Sequence, residues 1–448
     1  MSDLLSIAQS AVQLALKSGA TDAECTCSEG EEFSVGVRMR EVEKLTQAGS
    51  RGVGIRVLVG KRTGSSRTSD LSPEGIQAMV KSVLELAAIT TEDPFAGLPD
   101  PEEFGQLTGD LRLYDPAIEK MDAAWKIQQA LRAEEVALAY DPRIENSEGA
   151  GFDTYLSARA FANSRGFAGM YRSTTCGLSV VPVAKQDGAM ERDYWASSAR
   201  EASRLESPEE VGRKAAERAI RRLGARKVPT QKVPVIFEPR TARSLLGDIF
   251  DAVNGGAIYR HASFLAGKLG EKIASEHLTV IDDATIPGLF GTSPFDDEGC
   301  PSRRTVVIEK GVLKSYLLNT YTARKLGLKT TGNASRGLAG AASVGTGNFY
   351  IEKGERTEQQ LIAGIKQGLY VTELIGASGN TVTGDYSSGA AGIWIENGEL
   401  TYPVSEITVA GNLKTMLLEM EQPASNLEFR SSLASPSILI REMTVSGQ

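Results

Sequence analysis

Leu4, Leu5, Ile7, Ala8, Ala11, Val12, Leu14 and Ala15 recur at helical spacing, with Ser2 or Asp3 placed to cap the start and Gly19 to stop it. The period then changes. Phe33, Val35, Val37 and Met39 alternate with Glu32, Ser34, Gly36 and Arg38, which predicts a half-buried strand. Residues 52–59 (GVGIRVLV) read as a second, more deeply buried strand, and residues 64–68 as a short third. Ser72-Pro73-Glu74 combines a capping serine with proline at the first helical position, predicting a helix to about Ile89. Residues 93–114 are rich in Pro, Gly and acids and read as a loop. Asp115-Pro116 opens a helix to about Leu138. Strands are expected at 152–156, 158–163, 178–184 and 190–196. A capping box at 207–210 then starts a helix that ends at Leu223-Gly224.

The run ARKVPTQKVP at 225–234 holds two prolines and three cations and reads as a linker between a first domain, 1–224, and a second, 235–448. The second domain opens with a strand at 235–237 and an amphipathic helix from Pro239 to about Val253, through Leu245, Leu246, Ile249, Phe250 and Val253. Beyond Gly255-Gly256 it turns strand-rich. Residues 278–282 form one strand, and 305–309 with 312–318 form a hairpin. A short helix follows at 322–326, and 330–347 is a glycine- and serine-rich loop of a kind that often binds something. After a strand at 348–352, Thr357 and Gln360 cap a helix ending at Gly368, and 438–440 is the last strand. The predicted class is α+β: an N-terminal mixed helix and sheet domain, and a C-terminal β-rich domain with an antiparallel sheet or barrel.

Residues 376–420 hold the most unusual pattern. Gly376, Ser378, Gly379, Gly384, Ser387, Ser388, Gly389 and Gly392 leave room for another backbone to approach. Ile393-Trp394-Ile395-Glu396 then meets Asn397-Gly398, a strong hairpin signal. The return strand carries Leu400, Tyr402 and Val404, and a further strand runs through Ile407 and Val409. One reading is a glycine-rich hairpin in an antiparallel sheet. The other is a sheet lining a groove where an extended peptide adds as a strand. Thr383, Gly384, Asp385, Ser387 and Ser388, together with Arg260, are the candidate peptide-binding residues, and the Asp296-Asp297-Glu298 turn is a further candidate. Ordinary turn chemistry and surface solvation account for the same residues.

The 448 residues are 41% hydrophobic and 24% charged, as in a soluble globular protein of two domains. A net charge of −8 argues against a nucleic-acid surface. No apolar run is long enough to span a membrane, and the opening MSDLLSIAQS lacks a basic leader, so a cytoplasmic location is expected. Cys25, Cys27, Cys176 and Cys300 form no CxxC pair and read as reduced structural thiols. The only histidines are His261 and His277. There is no HExxH motif and no GxSxG elbow, so neither histidine is expected to be catalytic.

Three long segments carry a resemblance. DDEGCPSRRTVVIEKGVLKSYLLNTYTARKLGLKTTGN, NTVTGDYSSGAAGIWIENGELTYPVSEITVAGNL and the closing PSILIREMTV together resemble the TldD/TldE (PmbA) family, most densely from about Ile273 onward. In that family the TldD branch carries an HExxxH helix and a metal-binding cysteine in a MCGK-like run. Here the corresponding helix reads SLLGDIFDAVNGGAIYR, with Leu246, Gly247 and Asp251 about where the His-Glu-His set falls, and residues 426–437 contain no cysteine. The chain therefore resembles the TldE/PmbA branch. The resemblance implies a subunit with no catalytic residue, no metal ligand and no cofactor of its own. Its partner would be a TldD-like metallopeptidase subunit that holds the zinc and cuts, and the pair would enclose a chamber for unfolded or small peptides. The resemblance also implies a homodimer when the chain is alone, and a link to antibacterial-peptide maturation and DNA gyrase inhibition without direct nucleic-acid contact. The alternatives are a stand-alone homodimeric scaffold with no proteolytic role, and an independent hydrolase using His261 or His277 with a nucleophile such as Cys300.

Overall fold

The computed structural model describes residues 3–376 and 379–447; Ser2 and Ser378 of the sequence readings lie outside them. The first part of the chain runs α1 (Leu4–Lys17), β1 (Asp22–Arg38), β2 (Glu41–Val59), β3 (Arg62–Thr68), α2 (Pro73–Ile89), α3 (Pro116–Glu119), α4 (Ala123–Ala139), β4 (Ile144–Asn163), β5 (Ala168–Gln186), β6 (Ala189–Arg192), β7 (Trp195–Ala199) and α5 (Pro208–Ile220). The strands form one curled antiparallel sheet in the order β3-β2-β1-β4-β5-β6, with β7 also pairing β5. Its long strands, 17 to 20 residues each for β1, β2, β4 and β5, carry two separate cores. Helices α1 and α2 seal one half, where Ala8, Ala11 and Val12 meet Cys25, Cys27, Val53 and Ile55. Helices α4 and α5 seal the other, where Ala133 and Ala215 meet Val35, Phe152 and Leu178. The small alanine faces let each helix lie close to the sheet.

The second part runs β8 (Gln231–Phe237), α6 (Pro239–Val253), α7 (Gly255–Tyr259), β9 (Val280–Asp283), β10 (Arg304–Glu309), β11 (Val312–Leu313), α8 (Thr320–Leu326), β12 (Ala334–Ser335), β13 (Ser343–Val344), β14 (Phe349–Ile351), α9 (Glu358–Ala363), β15 (Gln367–Ile375), β16 (Asp385–Glu396), β17 (Glu399–Asn412), α10 (Leu413–Leu418), β18 (Leu433–Ala434) and β19 (Ile438–Ser446). Strands β15-β16-β17-β19-β8 close into a barrel, and β11-β10-β9-β14-β18 form a second sheet. Helix α6 belongs to the core these two share: Leu245, Leu246, Ile249 and Val253 join Phe237, Phe349, Trp394 and Val409. No helix among the described residues is long and apolar enough to cross a membrane.

The α+β class and the barrel agree with the sequence expectation, while several boundaries move. The helix expected from Asp115 to Leu138 is two helices. Asp115 caps the single turn of α3 by accepting from the Ala117 N–H, and the chain restarts at Asp122, a residue better suited to a cap than to a helix interior. The helix expected to end at Gly368 stops at Ala363, because Gly368 sits inside β15. A Cβ there would lie 2.7 Å from the Pro234 carbonyl oxygen, so this glycine serves barrel packing. The strand expected at 312–318 pairs only at Val312–Leu313. The two strands expected after Asn397-Gly398 are one, β17, irregular around Glu406, whose φ is 51°. The turn itself is as the sequence predicts, with φ of 51° at Asn397 and 85° at Gly398. The groove reading fares differently. β16 pairs β15 on one side and β17 on the other, so it has no free edge for an added strand.

The loop at 330–347 clamps the two parts together. Its Leu338 carbonyl oxygen lies where a Cβ on Gly54 of β2 would be only 1.8 Å away. Arg336 reaches from it to the carboxylate of Glu24 on β1, which also accepts from Arg56 at 2.7 Å. Glu24 is 1% exposed. Burial pushes its pKa up, but Arg336 and Arg56 outweigh burial and hold the carboxyl below its ordinary range. A third contact joins Arg159 of β4 to Asp297 at 2.8 Å. Inside the second part the loop is held by Asp282 of β9, which accepts from Asn333 at 2.7 Å and from the Gly347 N–H at 2.8 Å.

Two outcomes follow. Gly54→Ala should lower unfolding stability by about 1–3 kcal/mol through overpacking, read as a lower denaturant midpoint. An unchanged midpoint would mean that the loop does not rest on β2. Burial raises the Asp282 carboxyl to about 6. With the folded value above the unfolded one, its contribution to stability is full below about pH 4 and is lost as pH rises through about 6, by roughly 3 kcal/mol at most. Asp282→Asn should flatten that part of the stability–pH curve.

Candidate functional site

A cavity of about 510 Å³ opens between the two parts of the chain. Arg56, Thr63, Asp93 and Gly97 line it from the first, and Asn254, Arg260, Glu298 and Tyr321 from the second. Its far wall begins where α6 gives way to α7. The Asn254 side chain caps α7 by accepting from the Gly256 N–H at 2.8 Å. A Cβ on Gly255 would lie 2.5 Å from Leu318 and 2.8 Å from Thr322, so only glycine lets α7 seat against α8. That seating brings Tyr259 and Tyr321 edge to face at 6.0 Å. The Arg260 guanidinium lies 5.4 Å from the Tyr259 ring, and the Lys325 ammonium 5.3 Å from the Tyr321 ring.

Polar groups fill in the rest. The Tyr321 hydroxyl donates to Asp93 at 2.9 Å, which links α8 to the loop after α2. Burial works against the Asp93 charge, but the Phe95 N–H, the Tyr321 hydroxyl and Lys325 hold its carboxyl below the ordinary range. Glu298 is 4% exposed and accepts from the Thr320 N–H at 2.9 Å. Burial pushes its carboxyl up. Asn319 accepts from the Thr322 N–H and hydroxyl and donates to the Ala342 carbonyl at 2.7 Å. Aromatic faces, fixed amides, carboxyls and two guanidiniums on one cleft suit a polar, extended ligand such as a peptide segment.

Zinc, which the resemblance attaches to relatives, does not fit the residues of α6. Leu246 is fully buried hydrocarbon in the barrel core, Gly247 has no side chain, and Asp251 is exposed. A tetrahedral site needs three or four nitrogen, sulfur or oxygen ligands. Among the described residues no three His, Cys, Asp or Glu side chains are grouped to hold a metal ion. Both histidines are exposed, while Cys300 is fully buried. Burial, then Asp296 and Glu298, push the Cys300 thiol far up, away from a nucleophilic thiolate.

The sequence candidates separate. Arg260 and Glu298 line the cavity; Thr383, Gly384, Asp385, Ser387 and Ser388 do not. Those five sit at one end of the barrel in local turn chemistry. Thr383 donates to Asp385 at 2.8 Å, Asn412 donates to Asp385 at 3.2 Å, and Gly384 has a φ of 88°. Ser388 is 3% exposed and donates to the Ile375 carbonyl, whereas Ser387 is exposed in the β16–β17 ladder. Sequence reasoning missed Tyr259, Tyr321, Asp93 and Asn319. The Asn319–Thr322 capping box was a readable signal, but nothing in the acidic loop singled out Asp93.

Family models cover nearly the whole chain. The PmbA/TldA metallopeptidase domain 1 matches residues 23–87, the central domain 116–223 and the C-terminal domain 230–447. The metalloprotease PmbA of Escherichia coli O157:H7 is 40% identical over 436 residues, covering 97% of this chain and 94% of that one. A PmbA homolog of Haemophilus influenzae is 36% identical, covering 98% and 94%. Among solved structures, a candidate modulator of DNA gyrase from Bacteroides thetaiotaomicron superposes with a TM-score of 0.93 at 31% identity over the full length of both chains. TldE of Thermococcus kodakarensis shares the fold, with a TM-score of 0.88 at 21% identity over 98% of this chain and 100% of that one. With this coverage and identity, the chain belongs to the PmbA/TldD metallopeptidase family.

Proposed function

We propose that this protein is the non-catalytic, TldE/PmbA-like subunit of a cytoplasmic two-subunit metallopeptidase, and that it pairs with a TldD-like chain that holds the zinc and cuts unfolded or small peptides. The observation that carries the reading is the make-up of α6. Where the TldD branch places its metal helix, this helix turns Leu246 into the hydrophobic core and presents Gly247, which can neither ligate zinc nor act as a general base. The relatives named above include PmbA-type chains, and a TldD homolog of Haemophilus influenzae is 25% identical over 426 residues, so both branches share this architecture.

Two features support a role in holding peptides and a partner. The inter-domain cavity presents aromatic faces and fixed amides without an activated nucleophile. Among the described residues no strand pairs residues 41–52 of β2 on the side away from β1, and Val42 and Leu45 are exposed there, 46% and 51%. An open strand edge with exposed apolar side chains suits another polypeptide.

Purified alone, the chain should carry no stoichiometric zinc and should not cleave an unfolded peptide. Co-expressed with an HExxxH-bearing relative, it should co-purify as a mixed complex that cleaves the peptide, and replacing the glutamate of the relative's motif should abolish cleavage. One tightly held zinc per isolated chain, by elemental analysis, or peptide cleavage by the isolated chain, would overturn the reading.

A further inference from the structure

A second cavity, of about 290 Å³, shares no lining residue with the first. It lies where α5, the first turn of α6, β7 and the segment 426–430 converge, and six cations line it: Lys214, Arg218, Arg221, Arg240, Arg243 and Arg430. Among the described residues three carboxylates face it, Glu238, Glu358 and Glu428, and each is already engaged. Glu238 accepts from both outer nitrogens of Arg218, at 3.1 and 2.7 Å. Glu428 accepts from Arg430, and Glu358 from the Tyr370 hydroxyl. Asp193 and Glu206, behind the wall, take Arg218, Arg240, Lys214 and Arg430.

Two guanidiniums are left short of acceptors. Among the described residues, Arg243 donates to the Ser431 hydroxyl at 3.2 Å and enters no ion pair within 4 Å. Arg221 has a single long contact to Glu238, 3.4 Å, and its Nε is buried without an acceptor. Burial lowers the pKa of Arg243, and Arg240 and Arg430 add to the effect although Tyr194 opposes it. Arg221 is lowered by burial and then by Arg218. Positive charge thus exceeds its local compensation inside a partly enclosed pocket. The helix α6, 15 residues long, adds its positive end through Pro239 and Arg240. Trp195 supplies a flat wall, with the Arg430 guanidinium 4.5 Å from its ring.

We propose that this pocket binds an oxyanion, a carboxylate or phosphate group carried by a small ligand, with Arg221 and Arg243 as its main donors. A planar guanidinium matches either group through paired N–H bonds, and both lone donors border the same cavity. The site is independent of the partner-subunit reading, since none of its residues lines the inter-domain cavity.

The test titrates the full chain, by calorimetry, with inorganic phosphate, with a short peptide bearing a free C-terminal carboxylate, and with the same peptide amidated. Saturable binding of phosphate, or of the free-acid peptide but not its amide, supports the proposal and identifies which oxyanion the pocket takes. Arg243→Gln, which takes away one guanidinium and, in the ligand-free chain, its bond to Ser431, should weaken that binding about tenfold or more without changing the melting temperature of the ligand-free chain. Glu428→Gln removes a lining negative charge and should tighten binding, a gain that misfolding cannot produce. Absence of saturable binding by all three probes, equal binding by wild type and Arg243→Gln, or weaker binding by Glu428→Gln would overturn it.

Discussion

The buried contact of Glu24 with Arg336 and Arg56 is the constraint on which the arrangement of the two halves rests. Glu24 belongs to the first sheet and Arg336 to the loop of the second part, so the pair spans the domain junction. Burying a carboxylate is costly, and it persists only when opposite charges and hydrogen bonds replace water. Two guanidiniums supply opposite charge and hydrogen bonds to Oε1, while Oε2 is buried without a hydrogen-bond partner among the described residues. Withdrawal of the loop would take Arg336 from Glu24 and leave it the ion pair with Arg56. The same contact borders the candidate cavity, because Arg56 lines it and Arg336 grips, through Asp297, the turn that carries Glu298. Rigidity at the junction is thereby passed to the site.

Barrel closure is the second organising fact. Pairing β8 with both β15 and β19 ties the start of the second part to its end, so its first and last strands are neighbours in the barrel. Closure removes edges from β15, β16 and β17. The glycines of β16 therefore serve packing inside the barrel: a Cβ on Gly392 would lie 2.1 Å from the Tyr370 carbonyl oxygen. An open edge is instead found on β2, far earlier in the sequence, on the sheet that lacks closure.

Helix α6 joins both themes. Its apolar face completes the barrel core, its first turn borders a cation-rich pocket, and its end hands over to α7 at the inter-domain cavity. One helix thus links the barrel core to both cavities.

The sequence by itself determined the local elements whose causes are local. Ser72-Pro73 set the start of α2, Ser207 with Glu210 the start of α5, and Asn397-Gly398 the β16–β17 turn, because caps and left-handed turns act within a few residues. Alternation at 33–39 exposed one face of β1. The long quoted segments were enough to place the family. The tertiary structure alone decided which edges remain open, since pairing depends on strands as distant as β8 and β19. It also separated Arg260 from the Thr383–Ser388 group and gathered Asp93, Tyr321 and Glu298 around one cavity. Such a site is assembled by sheet closure and a buried ion pair between residues 312 positions apart, and no spacing along the chain encodes that distance.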